Sequence, residues 1–159
     1  MFFKVAITIL SLIIFCSLCE AGTPVRRCSG NHPLPLDVQI EDCQSLPCEV
    51  TKGRVNKMDM QFVAVTDETY YLKAEIHATV LGITVPFILS PEAANVCGNL
   101  MYGAYCPLYA EEDVTYHIDL PIENNTPELN LRCQVRIVDK NKDVVACFVT
   151  DLKVRKERQ

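Results

Sequence analysis

An all-β fold, an antiparallel β-sandwich, is what this sequence predicts, and three observations carry that expectation. Apolar and polar residues alternate with period two in successive runs along the chain, and turn-forming residues separate the runs. Cysteines are spread through the same region as in exported domains stapled by disulfides. Helical periodicity is hard to find after the first twenty residues.

The N-terminal segment is read first. "MFFK" is a short charged start, "VAITILSLIIF" is an apolar stretch, and "SLCEA" ends in a small-residue Cys19-x-Ala21 site. That is the grammar of a secretory signal, with cleavage expected after Ala21. The apolar run is shorter than the roughly 20 residues a spanning helix needs. Residues 1–21 are therefore expected to be a signal peptide and 22–159 one domain, secreted and extracellular, with the lysosomal lumen as a weaker alternative.

The strands follow in order. In "VNKMDMQFVAV" (55–65), Met58, Met60, Phe62 and Ala64 oppose Lys57, Asp59 and Gln61. In "YLKAEIHATVLG" (71–82), Leu72, Ala74, Ile76, Ala78 and Val80 oppose Lys73, Glu75, His77 and Thr79. The stretch "LGITVPFILSP" (81–91) alternates at Ile83, Val85, Phe87 and Leu89, and it carries no charge. Pro86 lacks a ladder donor, which places this run at a sheet edge or bulge. In "DVTYHIDLPI" (113–122), Val114, Tyr116, Ile118 and Leu120 share a face. In "ELNLRCQVRIV" (128–138) Leu129, Leu131, Cys133, Val135 and Ile137 do so, and in "VVACFVTDLKV" (144–154) Val144, Ala146, Phe148, Thr150, Leu152 and Val154. Each pattern is that of a strand with one face in a core and one in water. The turns "TKG", "TDET", "ENNTP" and "DKNKD" lie between, the last of them predicting a hairpin.

Charge and motifs exclude several functions. The net charge is −5, and no basic stripe with interleaved aromatics exists, so nucleic acid is not an expected partner. The basic tail "KVRKERQ" reads as a solvated end. His77 and His117 point outward by phase and His32 lies in a turn, so no metal site is expected. No nucleophile elbow, zinc-protease helix, P-loop or dinucleotide fingerprint occurs. "EED" (111–113) reads as a solvated strand start, since a catalytic acid with a raised pKa needs apolar burial. The chain is expected not to be an enzyme and to hold no cofactor. One glycosylation sequon occurs, at Asn124, with Pro127 after its threonine lowering its expected occupancy.

Seven cysteines lie beyond the signal: Cys28, Cys43, Cys48, Cys97, Cys106, Cys133 and Cys147. Spacing alone does not choose among their pairings. Short loops suggest Cys43–Cys48 and Cys97–Cys106 as local staples, and Cys28 with Cys147 would then tie the ends of the domain. Cys133 lies inward by strand phase and is the candidate free thiol, a small apolar residue. A catalytic thiolate there would need a nearby base and access.

The apolar supply is large for a two-layer core. If the sheets splay at the strand containing Pro86, its uncharged faces line a cleft, and clefts for small ligands are concave and mostly apolar. That strand, with Ile83, Val85 and Phe87, is then the expected wall of a ligand cavity.

The motifs "DCQSLPCEVTKG" (42–53), "KAEIHATVLGITVPF" (73–87), "CPL" (106–108) and "LPI" (120–122), in that order and followed by the hairpin into Cys147, resemble the ML lipid-recognition family, in its Niemann–Pick type C2-like branch of secreted sterol- and lipid-binding proteins. The resemblance implies an immunoglobulin-like β-sandwich of two antiparallel sheets enclosing an apolar lipid cavity. It also implies three disulfides, Cys28–Cys147, Cys43–Cys48 and Cys97–Cys106. It places Phe87 and Ile122 at the cavity mouth, and a sterol carrier of this kind would have Phe87, Val85, Ile83, Leu120 and Ile122 as its cavity wall, with Tyr116 as a polar handle. Thr126 stands where the branch carries a bulky aromatic, and Val135 where it carries a buried tryptophan, so a wider mouth and larger interior are expected. The usual glycosylation position falls at Asp59.

The function expected from the resemblance is carriage of a sterol or similar apolar lipid by a monomer, with hand-over to a membrane or receptor protein. The alternatives are a lipid-sensing interaction module for microbial lipids and a carrier of fatty-acid or semiochemical ligands.

Overall fold

Two sheets of unequal size face each other in the computed structural model, which describes residues 22–157. The expected signal peptide lies outside the described residues. The larger sheet has six strands in the order β1 (Arg26–Arg27), β9 (Val144–Arg155), β8 (Asn130–Asp139), β5 (Leu72–Val80) and β6 (Ile83–Phe87), with β3 (Cys48–Thr51) sharing the outer edge of β9. The smaller sheet is β2 (Asp37–Ile40), β4 (Val55–Val63) and β7 (Asp113–Pro121). All pairings are antiparallel but one: β3 runs parallel to β9.

The alternating runs become the long strands because each buries its apolar face. Met58, Met60 and Phe62 of β4 and Tyr116 and Ile118 of β7 are buried from one side. Ile76, Val135, Ile137 and Phe148 of the larger sheet meet them in one continuous core. The strand containing Pro86 is the edge strand β6, as its missing N–H demands. It returns from β5 through a two-residue turn, Leu81 (φ 50°) and Gly82 (φ 83°), with Val80 paired to Ile83. Both central residues in the left-handed region give the hairpin turn that matches strand twist. Gly82 takes that conformation freely, whereas Leu81 takes it at a cost.

Three disulfides hold the sandwich: Cys28–Cys147, Cys43–Cys48 and Cys97–Cys106. Cys147 is on the outward face of β9, where Cys28 covers it, and both are buried. The "DKNKD" stretch closes the β8–β9 hairpin, with the Asp139 side chain accepting the backbone N–H groups of Asn141 and Asp143.

The chain passes from one sheet to the other through a strap that has a short helix α1 (Pro91–Ala94) and a 3₁₀ turn (Val96–Gly98). Ser90 caps α1 by accepting from Ala93 N–H, and Pro91 stands at its first turn. Asn95 caps the 3₁₀ turn at Gly98 N–H. Asn95 bridges to Lys73 of β5, and Leu100 bridges to Tyr116 of β7. The strap thus closes one half of the side of the sandwich where β5 and β7 lie.

Candidate functional site

The other half of that side is bounded by the two edge strands, β6 and β7. Register puts Phe87, Val85 and Ile83 opposite Ile76, Ala78 and Val80. Ile76 is buried, so this is the face turned toward the smaller sheet. Away from the strap the cover thins: Ala78 and Val80 are half-buried, Val85 is 49% exposed and Ile83 69%. Leu81 at the hairpin tip is 99% exposed. A lip of aliphatic side chains therefore overhangs the three-stranded sheet, which is too narrow to cover it.

Phe87 stands where β6 leaves the sheet. It packs partly buried against the core and lines a pocket of about 310 Å³ with Ala74, Ile76, Leu89 and Ala94. Polar neighbours at the same pocket are Lys73, Glu75, His77 and Arg136. Burial works against the charge of Glu75. Hydrogen bonds from Lys142 (3.1 Å) and Arg136 (2.8 Å), with the charges of both, outweigh it and hold the carboxyl below the usual glutamate range.

The opposite lip is the end of β7 and the segment after it. Leu120 and Ile122 are buried. Ile122 is fixed by backbone bonds in both directions, donating to Arg54 O (3.1 Å) and accepting from Gly53 N–H (2.6 Å). Gly53 is required there: its φ is 79°, and a Cβ would stand 2.2 Å from the Asn124 side-chain oxygen. Thr126 is half-buried and its carbonyl accepts from Lys52 Nζ at 3.5 Å. Asn124 itself is exposed in this turn.

Two of the interior candidates are deeper. Val135 and Tyr116 are fully buried. The Tyr116 hydroxyl donates to the Ala93 carbonyl of α1, and burial raises the phenol well above its ordinary pKa. That hydroxyl is spent on fastening the strap, so the polar handle read from the sequence is already engaged. Of the residues read from the sequence, Phe87 lines the pocket just described, Ile83 and Val85 stand exposed on β6, Leu120 and Ile122 are buried at the end of β7 with half-buried Thr126 beyond them, and Tyr116 and Val135 lie in the packed core.

Chemistry of the bond-making kind finds few groups here. The Cys133 thiol is buried, and desolvation pushes its pKa up to about 12, so it stays protonated. His117 sits on the outer face of the smaller sheet, with Nδ1 2.6 Å from Asp59 and Nε2 3.3 Å from Asp119. Among the described residues no group of three His, Cys, Asp or Glu side chains converges as a metal site would require. Among the same residues no helix is long and apolar enough to cross a membrane.

Comparison with known proteins bears on the family and the fold. Residues 22–154 match the family model described as ML domain. The chain is 26% identical over 123 residues to NPC intracellular cholesterol transporter 2 of Canis lupus familiaris, covering 77% of this chain and 78% of that protein. It is 24% identical over 150 residues to the protein of the same name in Bos taurus, covering 93% and 97%. A crystal structure of a Niemann–Pick type C2 protein from the Japanese carpenter ant superposes with a TM-score of 0.72 at 20% identity, covering 83% of this chain and 99% of that one. At that identity the match speaks for the fold.

Proposed function

Because the chain belongs to the ML domain family, we propose that it is a carrier that takes a sterol or similar apolar lipid between its two sheets and releases it unchanged. The observation that supports this reading best is the aliphatic lip. Ile83 and Val85 are inward-phase residues of a sheet, yet they face solvent. A surface of that kind on a disulfide-stapled domain calls for an apolar occupant. Each 100 Å² of apolar surface removed from water contributes about 2.5 kcal/mol before the costs of association.

Phe87 and Ile122 are the gate residues in this reading, with Ile83, Val85 and Leu120 behind them. Thr126, in place of a bulky side chain, leaves the mouth broad. The exposed Leu81 tip is the part that touches an acceptor membrane or receptor protein during hand-over. The chain works as a monomer, outside the cell or on the way there, after loss of residues 1–21; three disulfides fit an oxidising compartment. No bond is made or broken, and no cofactor is needed. A glycan at Asn124 would stand beside the mouth without entering it.

The test is native mass spectrometry of the exported protein, with lipid extraction, followed by displacement of a fluorescent sterol and a fluorescent fatty acid. A stoichiometric apolar ligand is the expected result. A protein that emerges empty and binds neither probe overturns the carrier reading.

A further inference from the structure

Thr150 is anomalous in the interior. It lies on β9 between Phe148 and Leu152 in the inward series and is 0% exposed. Its Oγ1 is buried and has no hydrogen-bond partner. The other buried polar side chains among the described residues are bonded: Thr23 Oγ1 accepts from Ile40 N–H at 3.0 Å, and Thr69 Oγ1 donates to Thr66 O at 3.0 Å. Buried side-chain oxygens are as a rule satisfied. A valine would fill the same space with no hydroxyl left over, so the packing does not explain the oxygen.

Register shows where this hydroxyl lies relative to the mouth. Thr150 pairs with Cys133, Cys133 with Ala78, and Ala78 with Val85. The row on one side is Phe148, Val135, Ile76 and Phe87, and on the other side Leu152 pairs with Leu131 and Val80 with Ile83, the two pairs lying just past the last β5–β8 pair, Thr79 with Arg132. A track floored by the small side chains of Ala78, Cys133 and Thr150 therefore crosses the sheet between that row and those pairs. It runs from half-exposed Val85 to the buried hydroxyl, three strand spacings or about 14 Å. Nothing charged lines it.

We infer that this row is the inner track of the ligand site, and that Thr150 Oγ1 receives a neutral hydrogen-bonding oxygen, a hydroxyl or carbonyl, carried at the leading end of an otherwise apolar ligand. The inference rests on the lipid-carrier reading and names its ligand class. The packed core closes over the hydroxyl, so a ligand has to part the sheets along the row of smallest side chains. Once there, an oxygen supplies the partner that the fold withholds. A bare hydrocarbon end leaves the hydroxyl unmet, and a carboxylate would be an unpaired buried charge.

The test is competitive binding of matched pairs to the intact exported protein: cholestane against cholestane hydroxylated at the end of its side chain, and dodecane against dodecanol. The oxygenated member is expected to bind about tenfold more tightly. Thr150→Val, which conserves shape, is expected to abolish the preference while keeping affinity for the hydrocarbon members, and Thr150→Ser to retain it. Equal affinities within each pair on the wild-type protein, or a preference that survives in Thr150→Val, overturn the inference and leave the carrier reading standing. Failure of all four ligands to bind overturns both.

Discussion

Removing the Cys28–Cys147 disulfide is expected to cost far more than removing either local staple, and the loop lengths say by how much. The three bridges span sequence separations of 119, 5 and 9 residues. In the loop-closure model a bridge of the first length restricts the unfolded chain by about 5 kcal/mol, against about 2 for Cys43–Cys48 and about 2.6 for Cys97–Cys106. Domains of this size have roughly 5–15 kcal/mol in total, so the first loss rivals the whole. Packing points the same way: Cys28 and Cys147 are both buried, and the bridge pins the N-terminal segment over β9, where Arg26 also pairs with Asp151 at 2.8 Å. The assay is urea unfolding followed by circular dichroism, on the double variants C28A/C147A, C43A/C48A and C97A/C106A. The first is expected to be largely unfolded at 37 °C, and the other two folded with reduced midpoints. If C28A/C147A loses no more than C43A/C48A, the unfolded state is not where the long bridge acts, and this reasoning fails.

Phe87→Ala is expected to weaken binding of a fluorescent sterol by about tenfold, while the half-buried position limits the fold's loss to roughly 1–2 kcal/mol; unchanged affinity by titration would remove Phe87 from the mouth. Glu75→Gln is expected to lower stability near pH 7 by about 1 kcal/mol at most, since its partners are partly exposed. The folded carboxyl lies below its unfolded value, so that contribution is present above the ordinary glutamate pKa and lost as pH falls through the folded value. Melting curves of the two proteins should therefore separate at pH 7 and converge as pH falls below the folded carboxyl's lowered pKa. Cys133, buried and with its thiol pKa near 12, is expected to resist alkylation at pH 8 in the folded protein and to react on unfolding; rapid modification of the native protein, read by mass spectrometry, would contradict the placement.

The long strands were legible because period-two alternation is imposed by burial on one face, and β4, β5, β7, β8 and β9, of nine residues or more each, follow it over most of their length, with breaks at the Ile137–Val138 bulge of β8 and at Val145–Phe148 of β9, which is buried on both faces. Pro86 marked its strand as an edge for a reason local to one residue. Elements of two to four residues left no such signal. β1 is two arginines, β2 and β3 have four residues each, and the parallel pairing of β3 with β9 depends on the Cys43–Cys48 loop turning the chain. The α1 cap could have been read from Ser90-Pro91, but a single turn contributes no periodicity. At the site, phase assigned Ile83, Val85, Phe87 and Leu120 to inward faces. It could not say that Val85 and Ile83 face solvent while Val135 and Tyr116 are sealed. That difference arises because six strands overhang three, a property of pairing between distant segments. For the same reason Thr150 was readable as inward but not as unpartnered.

On the carrier reading proposed above, the two lips of the mouth are anchored to different parts of the molecule, and this bears on how a packed core would admit a ligand. The β7 lip is tied to the Lys52–Arg54 turn through Ile122 and through Lys52, which also meets Glu128 at 3.5 Å. The β6 lip is tied to β5 alone, along five paired positions and the Thr79–Thr84 hydroxyl contact at 2.8 Å. Among the described residues, the hydrogen bonds and ion pairs of 81–87 stay within the β5–β6 hairpin, and those of 118–126 stay within their own lip. Parting the lips therefore breaks apolar contact and leaves the polar ladders whole. The strap, stapled by Cys97–Cys106 and pinned by Tyr116 to Ala93, holds the far half shut while the near half opens. An apolar ligand replaces what the opening removes, surface for surface. In the proposed carrier reading, exchange of that kind would set the cost of admission close to the gain of burial, which suits a cargo that is both taken up and released.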